Sequence, residues 1–333
     1  METAQRSIWQ ARRLCLFSSY FLAPRIPYYV REYLVDLARH FNDIIFITND
    51  DRILDDESLA WLQQQHIGLL LVANEGYDFG MWHKALMTRD HAAYDELALV
   101  NDSCIPVAPL QALVDWCRAS AHHYAGLTGS NQKAAHVQSY FLLLKKDILP
   151  CVWDYFRTHG VARESMQQVI DTYEVGLSQF LMRQGYSVGS YFSISNPAFD
   201  QDPFYCFALP MIRAGIPLIK RKFLSLTFST PSYGHPVFRD RLLSPHFASL
   251  FAPRWGIKLL AAQYGYSAER STLLFGESLK QASYRQRLAL FVRAARRAWL
   301  YPLLGITRDP LPFDPTAQSP LTGPDGQPVQ IWP

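Results

Sequence analysis

Tyr94-Asp-Glu-Leu-Ala-Leu-Val-Asn-Asp-Ser-Cys-Ile-Pro106 is the stretch on which the architecture turns. An apolar run rich in Leu and Val stops at three small polar side chains, Asn101, Asp102 and Ser103, and the amphipathic segment Leu110 to Cys117 follows Pro106. That pattern predicts a buried strand delivering polar groups to the carboxyl edge of a sheet. In open α/β sheets this edge is where ligands bind.

Upstream the chain alternates strand-like and helix-like segments. Short apolar runs at Arg13 to Ser19, Ile44 to Thr48, Ile67 to Ala73 and Leu97 to Val100 read as strands. Helical spacing occupies Tyr28 to Arg39 after Pro27, a segment opened by Asp56 or Ser58 and running to Gln65, and Met81 to Met87. Alternation of this kind predicts an α/β fold with a mostly parallel central sheet flanked by helices. Downstream, Tyr124 to Leu127 and Ser139 to Leu144 are strand-like, and Thr128-Gly-Ser-Asn-Gln132 between them reads as a polar loop. Arg163 to Gln184 is helical with Gly185 as its stop, and Tyr186 to Ile194 is a further strand.

Beyond Pro197 the character changes, and three regions are expected: a sheet domain over residues 1–225, a helical region over 226–304, and a tail over 305–333. Ser283 to Leu300 carries five arginines and no acid, with Leu288, Phe291, Val292, Ala295 and Trp299 on one side of a helical wheel. It either lies on anionic lipid or packs on the domain with its arginines outward. Pro310 to Pro333 has a proline every few residues and reads as a disordered tail.

Composition narrows the function classes. Of the 333 residues, 49% are hydrophobic and 14% aromatic, enough for a large core. A net charge of +3 gives no case for nucleic-acid binding. Five cysteines without a C-x-x-C pair fit a reducing compartment and carry no zinc signature. Met1 to Arg13 has no apolar core of a leader, and no apolar run reaches the roughly 18 residues of a membrane span. The expected location is cytoplasmic, at most peripheral on the inner face of the membrane.

Several residue groups could carry chemistry. Asn101-Asp102-Ser103 suits Mg²⁺ or Mn²⁺ or a nucleotide diphosphate, and equally an Asx-turn capping the next helix. Asn74-Glu-Gly-Tyr-Asp-Phe-Gly80 also follows a strand. Gly76 and Gly80 would let backbone approach a ligand, Asp78 would cap the helix, and Lys84 would reach a phosphate one turn inside it. An ordinary βα loop explains the same residues, and neither a P-loop nor a dinucleotide fingerprint is present. Glu174 is either a general base for a sugar hydroxyl or a solvated helix carboxylate. His136 reads as a surface or core histidine. Lys220-Arg-Lys222 either neutralises a diphosphate or forms a solvated turn.

Together these pieces resemble the rhamnan synthesis F family of glycosyltransferases, whose members help build bacterial rhamnose-containing polysaccharides and lipopolysaccharide O-chains. The resemblance rests on Asn74-Glu-Gly-Tyr-Asp-Phe-Gly-Met-Trp82, Tyr94 to Ser103, His136-Val-Gln-Ser-Tyr-Phe141, Glu174-Val-Gly-Leu-Ser178 and Pro217-Leu-Ile-Lys220, across about residues 12 to 225. It implies a GT-A-like fold with a nucleotide sugar at the carboxyl edge, and dTDP-L-rhamnose as the favoured donor. Asn101-Asp102-Ser103 would stand at the D-x-D metal position of GT-A enzymes, with one Asp, Asp102, as the metal ligand. Asn49 and Asp50 would face base and ribose; Asn74, Gly76, Asp78, Gly80 and Lys84 would line the donor pocket; His136 to Tyr140 would border the acceptor. Glu174 would be the catalytic base of an inverting displacement, with a metal or a basic residue steadying the departing diphosphate. A lipid-linked oligosaccharide acceptor would give the arginine-rich helix a purpose. Two other readings stand beside this one: a nucleotide-dependent sugar-phosphate transferase, and a carbohydrate-binding assembly subunit without turnover.

Overall fold

A computed structural model describes residues 11–20, 24–50, 54–161, 165–197, 202–220 and 321–329. The first half alternates strands and helices: β1 (Arg13–Ser18), α1 (Tyr28–Leu37), β2 (Asp43–Asn49), α2 (Asp56–Gln64), β3 (Gly68–Val72), α3 (Tyr77–Leu86) and β4 (Glu96–Asn101). Next come β5 (Cys104–Pro106), α4 (Gln111–Ala119), β6 (Tyr124–Ser130), β7 (His136–Val137), β8 (Phe141–Lys145) and α5 (Leu149–His159). A continuous helical segment then joins α6 (Met166–Val169), a π-helical stretch at Ile170–Val175, and α7 (Gly176–Arg183). The elements end with β9 (Val188–Ile194), α8 (Pro203–Arg213), β10 (Leu218–Lys220) and β11 (Leu321–Thr322).

The central sheet has the order β11-β9-β6-β8-β4-β1-β2-β3, with β7 pairing on β6. Pairs β3–β2, β2–β1, β1–β4 and β6–β9 are parallel. β8 runs antiparallel to both β4 and β6, so those two point the same way. The sheet is therefore mixed, with most strands sharing one direction, and one edge collects Ser18, Asn49, Val72, Asn101 and Ser130 at strand ends. Because β8 runs the other way, its entry, Ser139-Tyr140, reaches that same edge: Val100 lies opposite Phe141.

Strand side chains alternate between two cores, as a period of two requires. Cys15, Phe17, Ala98, Val100, Phe141 and Leu143 face α1, α4 and α8. Leu14, Leu16, Leu97, Leu99, Leu142 and Leu144 face α3, α5 and α7. Each such leucine, fully out of water, contributes about 1.5–3 kcal/mol before the entropic cost of ordering. Buried polar groups find partners across this packing. Trp153 Nε1 donates to the carbonyls of Leu86 and Arg89, and Asp36 accepts from the amide of Leu110 at the start of α4.

Two expectations change here. Thr128-Gly-Ser130 is the end of strand β6, not a loop, and Thr128 and Ser130 are buried in it. Their polarity is absorbed by other polar groups: Thr128 Oγ1 bonds Gln138 Oε1 at 2.7 Å and also contacts the Tyr140 hydroxyl. Nor is the expected disordered tail irregular throughout. β11 adds antiparallel to β9, Leu321 is fully buried, and Trp116 Nε1 donates to the Pro324 carbonyl. Beyond Pro197, α8 packs Phe204, Phe207 and Met211 into the core on the α1 and α4 side, and β10 pairs with β5 in a separate two-stranded sheet. The arginine-rich segment at 283–300 and the rest of 221–320 lie outside the described residues. Among the described residues, no helix is long and apolar enough to cross a membrane.

Candidate active site at the carboxyl edge of the sheet

The loop after β3 sets the geometry. Gly76, with φ of 70°, precedes α3, and Tyr77 is also left-handed at 56°. This turn lets α3 start close to the strand ends and aims its second residue, Asp78, at the sheet. Asp78 does not cap the helix. Its Oδ1 accepts from Ser18 Oγ at 3.2 Å and its Oδ2 from Asn101 Nδ2 at 2.8 Å, joining the ends of β1 and β4.

Gly80 also has a different use from the one expected. A Cβ there would lie 1.8 Å from the Glu75 carbonyl oxygen. The close approach that needs a glycine is therefore internal to the turn. Lys84 sits two turns into α3, not one, and turns back to the Ala73 carbonyl at 2.6 Å and Glu75 at 3.1 Å. A lysine so held braces the loop. Asn74 and Asp50 are exposed at the neighbouring strand ends, and the Asp50 amide donates to the Val72 carbonyl. Asn49 is buried beside Thr48, whose hydroxyl donates to its side-chain oxygen.

At the end of β4, Asn101 Oδ1 accepts from the Ser103 amide at 3.1 Å and from its hydroxyl. This is an Asx-turn, but it links β4 to β5 and caps no helix. Asp102 is buried, and its Oδ2 accepts from Ser19 Oγ at 2.9 Å and Tyr29 OH at 3.4 Å. Consecutive serines closing β1 thus bind one carboxylate each, Ser18 to Asp78 and Ser19 to Asp102.

Across β8 the same edge continues into Glu174. The π-helical turn carries it, with Tyr155 OH donating to the Thr172 carbonyl at 2.6 Å inside that turn. Glu174 Oε2 accepts from the Ser139 amide at 2.8 Å and from the Ser139 hydroxyl, while Oε1 lies 3.7 Å from His136 Nε2. Burial pushes the Glu174 carboxyl up, but the nearby His136 ring and the hydrogen bonds from Ser139 outweigh it and hold the group below the usual glutamate range. His136 Nδ1 sits 2.8 Å from the Ala134 carbonyl, so it is the protonated nitrogen, and Nε2 carries a proton toward Glu174 only in the charged ring. Asn101 Nδ2 also approaches the Ser139 carbonyl at 3.4 Å. A chain of polar contacts therefore runs Ser18–Asp78–Asn101–Ser139–Glu174–His136.

Lys220 stands on β10, opposite Cys104 of β5. Its ammonium bonds Asp202 at 3.0 Å and lies 5.0 Å from the Tyr140 ring centre. Among the predicted residues the structure joins Asp78, Asn101, Ser103, Asp102 and Glu174, and it turns Lys84 away from them. Ser18, Ser19 and Tyr29 complete the site and escaped the sequence reading; Ser139 belongs to the His136 to Tyr140 stretch expected at the acceptor, but its hold on Glu174 was not foreseen. Ser18 and Ser19 had a signal: they end the first strand as Asn101 and Asp102 end the fourth.

Among the described residues, no group of three or more His, Cys, Asp or Glu comes together as a metal set. The donor set at Asp102 is all oxygen, in keeping with Mg²⁺ or Mn²⁺. It is not a preformed cage, since Asp102 Oδ2 accepts from two hydroxyls. The residues fit only an ion completed by a ligand's own oxygens.

The sequence model of the rhamnan synthesis protein F family matches residues 44–233, more than half of the chain. No curated protein matches. Solved structures with a similar chain path include a putative glucose-1-phosphate thymidylyltransferase from Bacillus anthracis, at 8% identity and a TM-score of 0.39, over 55% of this chain and 87% of that one. The inositol-1-phosphate CTP transferase of T. maritima gives 10% identity and 0.36, over 55% and 86%. A 4-diphosphocytidyl-2C-methyl-D-erythritol synthase from Anaerococcus prevotii gives 11% and 0.36, over 54% and 86%. These likenesses are too distant to carry a functional inference.

Proposed function

Since the chain belongs to the rhamnan synthesis protein F family, we propose that it is a glycosyltransferase on a GT-A-like sheet. It moves a sugar, with rhamnose favoured, from a nucleoside-diphosphate donor to a growing bacterial surface polysaccharide. The observation that carries this reading is the convergence of Asp78, Asn101, Asp102 and Glu174 on one edge of the sheet.

In the proposed reaction the donor's anomeric C–O bond breaks and the diphosphate leaves with the electron pair. The acceptor oxygen bonds the anomeric carbon from the opposite face, which inverts it. The acceptor's proton goes to Glu174, an ionised carboxylate whose Oε1 faces His136 only at 3.7 Å. Asp102, Asn101, Ser103 and the Asp78 turn are the donor side, with Asn49, Asp50, Asn74, Gly76, Gly80 and Lys84 forming its walls and supports. Asp102 is the residue that would hold a Mg²⁺ or Mn²⁺ ion, whose chemistry when bound is to offset the diphosphate charge. Lys220, close behind the same turn, is the proposed basic counterpart. The proposed acceptor is a lipid-linked oligosaccharide, and the proposed location is the cytoplasmic face of the membrane. Support for membrane contact comes from the arginine-rich sequence at 283–300 alone. Truncation after Glu277 should abolish binding to anionic vesicles and leave donor affinity unchanged, and equal vesicle binding by both chains would refute the contact.

The test of the donor is a calorimetric panel of nucleotide sugars with and without Mn²⁺. Binding of a deoxyhexose nucleotide, weakened at least tenfold by Asp102→Ala, is the expected result. No binding by any nucleotide sugar would overturn the reading.

A further inference from the structure

We infer that Ser139 is a positioning residue that sets the basicity and orientation of Glu174 and locks it to the donor-side turn. The inference rests on Glu174 being the proton acceptor proposed above. Three atoms of Ser139 are committed to this. Its amide and its hydroxyl both donate to Glu174 Oε2, and its carbonyl accepts from Asn101 Nδ2 at 3.4 Å. The same Asn101 nitrogen donates to Asp78, and the Asn101 amide donates to the carbonyl of Tyr140. Ser139 is therefore a mechanical link between two halves of one site, the turn after β4 and the carboxylate on the π-helical stretch.

The Glu174 end of the link is set in place by features that a plain helix would lack. Glu174 belongs to a π-helical turn, a distortion often found at functional sites. Gly176 closes that turn, where a Cβ would lie 2.7 Å from both the Asp171 carbonyl oxygen and the Tyr155 hydroxyl. Ser178, one turn further, donates to the Glu174 carbonyl at 3.2 Å and accepts from the Val137 amide at 3.2 Å. With the backbone pinned on both sides, the carboxylate has little freedom. The Ser139 pair engages Oε2 and leaves Oε1 turned to His136. A hydroxyl donating to the ionised form also makes Glu174 a weaker base than a free glutamate, so losing it must raise the carboxyl's titration.

The discriminating experiment uses the full chain, with the Glu174 carboxyl carbon followed by NMR in a pH titration and activity measured over the same range. Ser139→Ala should raise the Glu174 midpoint by about one pH unit, the scale of one charge-assisted hydrogen bond. It should move the acid limb of kcat/KM by the same amount, lower kcat about tenfold, and leave donor Kd within twofold. Ser139→Thr, which keeps the hydroxyl, should restore both the midpoint and kcat. An unchanged midpoint in folded Ser139→Ala would overturn the inference, and so would failure of Ser139→Thr to rescue. If Ser139→Ala does not fold, Ser139→Cys serves in its place, with a smaller shift expected from the weaker thiol donor and no shift overturning the link. Should Glu174→Gln keep full activity, the base assignment fails, while the midpoint shift still judges the Ser139 link by itself.

Discussion

Replacing Gly80 with alanine separates two uses of that glycine, ligand approach and internal packing. The new Cβ would lie 1.8 Å from the Glu75 carbonyl oxygen and 2.8 Å from its carbon, against an ordinary contact of 3.4–4 Å. The obstacle is backbone, so no side chain can swing aside. Relief requires opening the first turn of α3, including the 2.9 Å bond from the Gly80 amide to the Gly76 carbonyl. That movement carries Asp78 away from Ser18 and Asn101. Overpacking costs about 1–3 kcal/mol and a backbone clash belongs at the upper end. Two strained or lost hydrogen bonds add about 1 kcal/mol each, and the better helix propensity of alanine returns about 1 kcal/mol. The net loss is about 3–4 kcal/mol, roughly 6–16 °C in melting temperature for a domain of this size. Urea and thermal unfolding followed by circular dichroism, with no ligand present, measure it. Gly185→Ala is the control: with φ of 85° and nothing within 4 Å of the new Cβ, it should cost only about 1–2 kcal/mol from the left-handed backbone. If Gly80→Ala costs less than about 0.5 kcal/mol without ligand, the packing account of the turn is wrong.

Further outcomes follow from other contacts. Arg118 forks onto the buried Glu96 at 2.7 and 2.9 Å, so Arg118→Ala should destabilise by about 3 kcal/mol in chemical denaturation, through a buried carboxylate left with only Arg13 at 4.0 Å as ion-pair partner. Leu321→Ala, at the fully buried start of β11, should cost about 2–4 kcal/mol and loosen hydrogen-exchange protection of β9 first. Glu174 has a folded pKa below its unfolded value, so its stabilising contribution is complete above the ordinary glutamate range and is lost as pH falls through the folded value. Glu174→Gln should therefore flatten the acid side of the stability–pH curve, and a curve parallel to that of the unaltered chain would refute the assignment.

The sheet was legible because its strands are short apolar runs closing on polar residues, and four of them occur at the expected places, Arg13–Ser18, Asp43–Asn49, Gly68–Val72 and Glu96–Asn101. The end of β6 was not, because Thr128 and Ser130 look like loop residues until Gln138 and Tyr140 are placed beside them. Pairing of Leu321 with Ile194 joins positions far apart in sequence, and no local period reports that. At the site, strand ends announced Asn101 and Asp102. The direction of Asp78 was hidden, since a carboxylate near a helix start reads as a cap, and only the left-handed pair Gly76 and Tyr77 turns it to the sheet. The links of Ser139 to Glu174 and Asn101 were hidden for the opposite reason: two of the three use backbone atoms, which any residue owns.

The product of donor turnover tests the central claim most directly. The full chain is incubated with dTDP-L-rhamnose and a lipid-linked oligosaccharide, and the nucleotide released is identified by phosphorus NMR. The account predicts a nucleoside diphosphate and an acceptor heavier by one sugar. Release of a nucleoside monophosphate, with the sugar phosphate transferred, would contradict it.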